Sequence, residues 1–219
     1  MKKQLNLFVA LLAMALFLTS CSRSFFTEGI GDPITEEFFL DDFDGFIIDG
    51  SMDVRLRQGP EQKVFVTAQP NLIDLINTNV VRGEWRIDYV ESVRTNGQTI
   101  IEITLPDIRS ITIDGSGDVI GLNDLNLRTL DILIDGSGDV ELFGEVDKQF
   151  ITIDGSGDVD NFDLLSFDTD VEIDGSGDVS VHADEFLRVN IDGSGDVRFR
   201  GNPDIQLTDD GSGDLIDAN

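Results

Sequence analysis

A five-residue motif, Asp-Gly-Ser-Gly-Asp, recurs through the second half of the chain at a nearly constant spacing. A period of about 20 residues is too short for a helical-pair repeat, which takes roughly 33 to 47 residues. A unit of this size buries its apolar face only by stacking on its neighbours, so the spacing predicts a repeat protein. The motif starts at six positions that lie 21, 19, 20, 18 and 18 residues apart: Asp114, Asp135, Asp154, Asp174, Asp192 and Asp210.

Alternating apolar residues lead into the motif. Before the first copy, Ile111 and Ile113 flank Thr112, and the same period of two precedes the copies that follow. This period is typical of a strand with one buried face. Continuing the alternation places both glycines of the motif and the next apolar residue inward. The two aspartates and the serine are then expected to point outward.

The length of the repeat predicts how the strands are arranged. About 20 residues at about 3.3 Å each give a perimeter of roughly 60 to 70 Å, which accommodates two or three short strands and their turns. We therefore predict an all-β fold in which residues 110–219 form a parallel β-solenoid, or β-helix, of about six coils.

Residues 38–109 carry strand patterns without the regular repeat. Phe46–Leu56 reads FIIDGSMDVRL, a degenerate copy of the motif in which Met52 replaces the second glycine. Residues 71–77 predict a short helical turn capped by Asn71. An exposed end coil would offer unpaired backbone to other chains. We therefore expect residues 38–109 to form a strand-rich N-terminal part that caps one end of the solenoid.

The first 21 residues have the pattern of an export signal. Lys2 and Lys3 precede an apolar run that is too short for a bilayer span of about 20 residues, as is usual for a secretory signal. Leu18–Cys21 reads LTSC and resembles the bacterial lipobox, in which the cysteine becomes the acylated first residue. Residues 1–20 are thus expected to be a lipoprotein signal peptide, Cys21 the lipid attachment site and residues 21–37 a tether. A plain secretory signal with an incidental cysteine is the alternative.

The charge of the chain argues against a nucleic-acid partner. The sequence holds 43 acidic and 15 basic residues, for a formal net charge of −28. Cleavage of the signal would make the charge more negative still, because it removes Lys2 and Lys3 and no acidic residue. A surface of this kind repels nucleic acid and anionic lipid. Cations or basic partner surfaces are its natural counter-charges.

The order of these parts resembles the head domain family of auto-transporter adhesins, called the GIN domain. The resemblance covers residues 38–219 and depends on the repeated GSGDV, on Phe46–Gly59 and on Leu105–Asp107. It implies a β-solenoid exported to the cell envelope with an adhesin role, and it supplies no catalytic residues. By resemblance to other lipoproteins, Ser22 after Cys21 implies a lipid anchor in the outer membrane, facing the periplasm or the outside.

Stacked coils would align the outward aspartates in columns with neighbours about 4.8 Å apart. Two unit charges at that spacing repel by roughly 0.9 kcal/mol in water, so the columns need relief. One interpretation is that the carboxylates accept backbone N–H groups in the turns while salt and solvent screen them. The other is that divalent cations, most plausibly calcium, bridge the carboxylates. The candidate ligands are Asp118, Asp135, Asp139, Asp154, Asp158, Asp174 and Asp178.

Two classes of function are compatible with these patterns. The first is a non-enzymatic envelope scaffold or adhesion module whose repeated face binds a glycan or protein partner weakly and many times. The second is a polysaccharide-active β-helix enzyme, a lyase or hydrolase with carboxylates and a basic residue. An active site is singular, whereas the carboxylates here recur in every coil, which favours the binding module. His182, the only histidine, is expected to be a solvated surface residue, and Arg198 to soften the acidic column.

Overall fold

A computed structural model describes residues 26–219 of the chain. Within this range, 62% of the residues lie in strands and helix is almost absent, which confirms the predicted all-β fold. The predicted signal peptide, residues 1–20, lies outside the described residues. Cys21 and the first part of the predicted tether, up to residue 25, lie outside them as well. The rest of the predicted tether is not a free linker, because Thr27–Glu28 and Ile34–Phe38 form strands that pair with Val93–Arg94 and Lys63–Ala68.

The N-terminal part contains nine strands and one short helix. The strands are β1 (Thr27–Glu28), β2 (Ile34–Phe38), β3 (Gly45–Gly50), β4 (Asp53–Gln58), β5 (Lys63–Ala68), β6 (Val80–Val81), β7 (Glu84–Ile87), β8 (Val93–Arg94) and β9 (Ile100–Leu105). The helix, α1 (Pro70–Ile73), lies between β5 and β6.

Helix α1 begins two residues earlier than a cap at Asn71 predicts. Pro70 occupies its first turn, where the fixed φ of proline suits a helix start and the missing N–H costs nothing. Gln69 is therefore the N-cap residue, and it makes no side-chain capping bond. The predicted cap at Asn71 is wrong, because that residue lies inside the helix. Its Oδ1 atom instead accepts the backbone N–H of Ile30 at 2.7 Å.

The repeat region contains ten strands, and several are much longer than predicted. They are β10 (Ser110–Gly115), β11 (Val119–Gly121), β12 (Leu125–Gly136), β13 (Val140–Glu141), β14 (Gly144–Gly155), β15 (Val159–Gly175), β16 (Val179–Gly193), β17 (Val197–Arg200), β18 (Asp204–Asp209) and β19 (Leu215–Asp217). Strand β15 has 17 residues and spans almost a whole repeat, in place of two or three short strands. The Ser-Gly-Asp part of the motif is where the longest strands are interrupted.

The copies of the motif stack one above another in parallel register. Asp114 pairs with Asp135, and the same positions remain aligned through the next three copies. The solenoid has about five turns rather than the predicted six coils. The difference is one of counting, because each turn runs from one copy of the motif to the next, so six copies delimit five turns.

The degenerate copy in the N-terminal part forms the first rung of the same stack. Strand β3 pairs in parallel with β10, so that Gly50 lies beside Gly115, and β4 pairs with β11. On their other edges, β3 pairs with β7 and β4 with β9. Strand β5 then runs antiparallel to both β2 and β9. Strands β2–β7 and β9 therefore continue the sheet of the solenoid beyond its first rung, whereas β1 and β8 form a separate two-stranded sheet.

The core follows the predicted alternation. The isoleucines that precede the motif form a continuous internal column and are at most 1% exposed: Ile113, Ile134, Ile153, Ile173 and Ile191. In the N-terminal part, Trp85 is fully buried, packs near Phe43 with 5.7 Å between ring centroids, and donates its indole N–H to the carbonyl of Asn77. One apolar core thus extends from the cap through the solenoid.

Candidate functional site

The aspartates of the motif form two columns with different environments. The first-Asp column consists of Asp114, Asp135, Asp154, Asp174 and Asp192, all of which are exposed. The second-Asp column consists of Asp118, Asp139, Asp158, Asp178 and Asp196. The two columns flank the serines of the motif, so each turn presents the same pair of carboxylates to solvent.

The second-Asp column is a ladder of hydrogen bonds between turns. The backbone N–H of Asp139 donates to Oδ1 of Asp118 at 3.0 Å. The backbone N–H of Asp158 donates in the same way to Oδ1 of Asp139 at 2.9 Å. Equivalent bonds link the remaining members of the column and extend the ladder to Asp53 at one end and Asp214 at the other. The predicted acceptance of backbone N–H groups is therefore present in this column, with the donor in the next turn rather than in the same turn.

Arginines neutralise the ends of the columns. Arg198 contacts Asp178 at 2.9 Å and Asp196 at 3.3 Å, as expected from its outward position beside the second-Asp column. The backbone N–H of Asp196 and then the Arg198 guanidinium hold the pKa of Asp178 below its usual value. At the other end, Arg86 pairs with Asp49 and approaches Asp114 at 3.8 Å.

The calcium candidates are divided between the two columns. Asp118, Asp139, Asp158 and Asp178 belong to the second-Asp column, where one oxygen of each is already bound to a backbone N–H. The other three candidates belong to the exposed first-Asp column: Asp135, Asp154 and Asp174. Over residues 26–219, no group of three or more acidic, histidine or cysteine side chains is placed to hold a metal ion.

Within residues 26–219, no basic side chain pairs with Asp135, Asp154 or Asp174 in the middle of the first-Asp column, which predicts a salt-dependent stability. Raising NaCl from about 20 mM to about 500 mM shortens the screening length to a few ångströms, so the melting temperature is expected to rise by several degrees. Calcium chloride at the same ionic strength should produce the same rise, measured by circular dichroism. A clearly larger rise with calcium than with magnesium or sodium would instead demonstrate cation bridging.

Two adjacent turns differ from the others by sharing a buried polar network. Gln149 and Thr169 occupy the inward column that Leu130 and Leu187 fill in neighbouring turns. The Gln149 amide donates to the hydroxyls of Ser166 and Thr169 at 3.3 and 3.2 Å. Strand β15 also shifts register against β16 near these residues. A scan for polar residues at inward positions would have found these two turns from the sequence.

The serine of this network is turned away from the nearby histidine. Ser166 is 2% exposed, and its hydroxyl donates to the main-chain carbonyl of His182 at 2.7 Å instead of facing the imidazole. The imidazole Nε2 lies 3.3 Å from a carboxylate oxygen of Asp184, and its side chain is 25% exposed. His182 is therefore half-buried and paired, not fully solvated as predicted.

A polar cleft lies where the N-terminal part meets the first turn of the solenoid. This junction cleft has a volume of about 720 Å³. The polar and charged side chains that line it include Gln58, Asp107, Arg109, Asn126, Arg128 and Asp147. Sequence reasoning missed the cleft, because its walls come from β4, from the loop after β9, and from β12 and β14.

The described part of the chain, residues 26–219, has no helix with the length and apolar character needed to span a bilayer.

Comparisons with known proteins identify relatives in sequence and in structure. A family model described as "Putative auto-transporter adhesin, head GIN domain" matches residues 42–203. No curated protein matches the chain. Among solved structures, one described as a "putative adhesin" from Bacteroides fragilis has a TM-score of 0.72 at 21% identity, covering 85% of this chain and 97% of its own.

Two other solved structures share the architecture. A "putative lipid binding protein" from Parabacteroides distasonis has a TM-score of 0.58 at 24% identity, over 86% of this chain and 98% of its own. A "putative adhesin" from Parabacteroides merdae has a TM-score of 0.55 at 18% identity, over 86% and 98%. At this level of identity the three structures show that the fold is shared.

Proposed function

Because the chain belongs to the GIN domain family over residues 42–203, we propose that it is a non-enzymatic adhesion module of the cell envelope. The observation that carries this proposal is the repetition of one charged face. The parallel register sets the same two carboxylates and one serine on every turn. A repeated face suits weak contacts made many times over, whose combined avidity exceeds any single affinity.

The buried polar network around Gln149 gives no support to the alternative of a polysaccharide lyase or hydrolase. An active site on a repeat fold needs one place where acid and base groups converge on a substrate. In the network around Gln149, the hydroxyls of Ser166 and Thr169 face the core and bond to the Gln149 amide, to each other and to the main chain. The surface pair of His182 and Asp184 lies at 3.3 Å with the nearby Ser166 turned inward.

The protein is held at the outer membrane through an acylated Cys21. The LTSC sequence at Leu18–Cys21 supports this placement, and so does the envelope role that the adhesin family suggests. Two acyl chains are enough for stable anchoring, whereas one gives only marginal binding. A lipid surface with anionic headgroups would repel the acidic domain.

Replacing the anchor tests this proposal on whole cells. A Cys21→Ala variant is expected to lose incorporation of a labelled fatty acid and to leave the outer-membrane fraction. Cells that carry it should lose at least about nine-tenths of their adhesion to glycan-coated and protein-coated surfaces, because stable anchoring needs the acyl chains. The neighbouring Ser22→Ala variant is the matched control and should behave like the wild type.

Two results would count against the proposal. Cells with Cys21→Ala that remain labelled and adherent would exclude the lipid anchor. Release of unsaturated or reducing sugars from polysaccharides incubated with the purified protein, followed by ultraviolet absorbance and a reducing-end assay, would show that the protein is an enzyme.

A further inference from the structure

The floor of the junction cleft is fixed by a side-chain clamp. The Gln58 amide donates to the main-chain carbonyls of Pro106 and Asn126, each at 3.1 Å. Its Oε1 accepts the backbone N–H of Asn126. The Asn123 side chain bonds to both the N–H and the carbonyl of Gln58 at 3.0 Å. These bonds join the N-terminal part to the first turn, so the cleft is formed before any ligand arrives.

The charged side chains of the cleft balance one another. Two carboxylates, Asp107 and Asp147, face two guanidinium groups, Arg109 and Arg128. The chain as a whole, by contrast, has a net charge of −28. The junction cleft is therefore a neutral, polar site on a strongly acidic protein.

Several polar groups of the cleft form no ion pair or side-chain hydrogen bond with another residue in the range 26–219. Arg109 is held by Asp44, with its Nε 3.0 Å from the carboxylate. Within residues 26–219, by contrast, neither Arg128 nor Asp147 forms an ion pair. The side-chain amide of Asn126 and the hydroxyl of Thr129 make no hydrogen bond with another described residue. The cleft thus offers free donors and free acceptors side by side.

We propose that the junction cleft binds an uncharged oligosaccharide, a ligand class that rests on the adhesion function proposed above. Sugar hydroxyls donate to carboxylates and accept from guanidinium and amide groups, so they match a lining that has both and no net charge. A polyanion would be repelled by the protein as a whole, and a polycation would be drawn to the aspartate columns instead. The volume of about 720 Å³ is in the range of small-molecule sites.

An apolar ligand or a peptide fits this lining less well. Leu127 and Pro106 supply the apolar lining of the cleft. Peptides are usually recognised along a free strand edge or in an apolar groove. Along this stretch, strand β12 pairs with β14 on one edge. On the other edge, the backbone N–H and carbonyl of Asn126 are both bonded to the Gln58 side chain. The mixture of hydroxyl-matching groups therefore favours a saccharide.

Titration of the purified anchored protein with four hexasaccharides of equal length tests the ligand class. Cellohexaose, maltohexaose and mannohexaose are uncharged, and hexagalacturonate is acidic. At least one neutral hexasaccharide is expected to bind, and hexagalacturonate to bind at least about tenfold more weakly. Arg128→Gln should weaken neutral binding about tenfold, because it removes a charge-assisted hydrogen bond. Arg57→Gln, an exposed arginine outside the cleft without an ion pair among the described residues, is the matched control and should change nothing.

The outcomes separate this proposal from the adhesion function. Preference for hexagalacturonate, or equal binding by Arg128→Gln and wild type at equal melting temperature, would overturn the oligosaccharide site. Binding of none of the four sugars would do so as well, while anchored cells that still adhere to a protein-coated surface would leave the adhesion function standing. Loss of adhesion to every surface would remove the adhesion function and this proposal with it.

Discussion

Replacing Gly157 by alanine is expected to lower the melting temperature by roughly 5 to 10 °C, whereas Gly97→Ala should leave it nearly unchanged. A Cβ atom at Gly157 would lie 2.2 Å from the carbonyl oxygen of Gly138 and 2.9 Å from a methyl group of Ile134. The carbonyl belongs to the backbone of the turn below, which the parallel strands hold in place. Overpacking of this kind costs roughly 1 to 3 kcal/mol or more. At Gly97, an added Cβ meets nothing within 4 Å.

Comparison with the first rung explains why both glycines recur in every later copy of the motif. At each later copy, a Cβ on either glycine would collide with the copy beneath it, as Gly117 would with the carbonyl oxygen of Met52 at 2.1 Å. No earlier copy lies beneath the first rung, and Gly50 there has nothing within 4 Å of an added Cβ. Because the first rung has no copy beneath it, Met52 can replace the second glycine there, and it is only 3% exposed.

Thermal unfolding of the two glycine variants, followed by circular dichroism, measures this effect. The wild type and Gly97→Ala should melt together and Gly157→Ala clearly below them. Equal melting of all three proteins would mean that neighbouring turns separate without cost, and the close stacking of the motif would then not be what requires glycine.

The stacking of the motif could be predicted from the sequence, because the motif repeats at a regular spacing and is preceded each time by a strand alternation of period two. The spacing of about 20 residues sets the turn, and the alternation around Ile111 and Ile113 sets the buried face; both are confirmed. The resemblance to the GIN domain family is confirmed by the match over residues 42–203. The predicted position of α1 was wrong, because the preference of Pro70 for the first helical turn outweighed the preference of Asn71 for the cap.

The candidate site was harder to predict, because contacts between distant segments define it. Gln58 and Asn126 are 68 positions apart, and neither carries a motif that would indicate their contact. The two aspartate columns looked equivalent, since alternation gives only the face on which a residue lies. Their difference arises at the bend between the two glycines: Asp118, which follows the bend, accepts the N–H of Asp139, whereas Asp114, which precedes it, is exposed.

The second-Asp column predicts opposite effects for two aspartates of one motif copy. Asp178→Ala removes the acceptor of the Asp196 N–H, at 2.9 Å, and a partner of Arg198. The loss should cost about 1 to 2 kcal/mol given the partial exposure of the site, which lowers the melting temperature by roughly 2 to 8 °C. Asp174→Ala, the matched control in the first-Asp column, removes only repulsion and should leave the melting temperature equal or higher.

The pH dependence of stability gives the same prediction an independent readout. The pKa of Asp178 is lowered in the folded protein, chiefly by the Asp196 N–H and also by Arg198. Its stabilising contribution is therefore complete above the unfolded pKa of about 3.9 and is lost as pH falls through the lower folded pKa. Asp178→Asn keeps an acceptor oxygen and cannot titrate. Its melting temperature should lie below that of the wild type at pH 7, and the gap should close below about pH 4. A gap that persists in acid, or an Asp174→Ala variant as unstable as Asp178→Ala, would show that the ladder does not stabilise the solenoid.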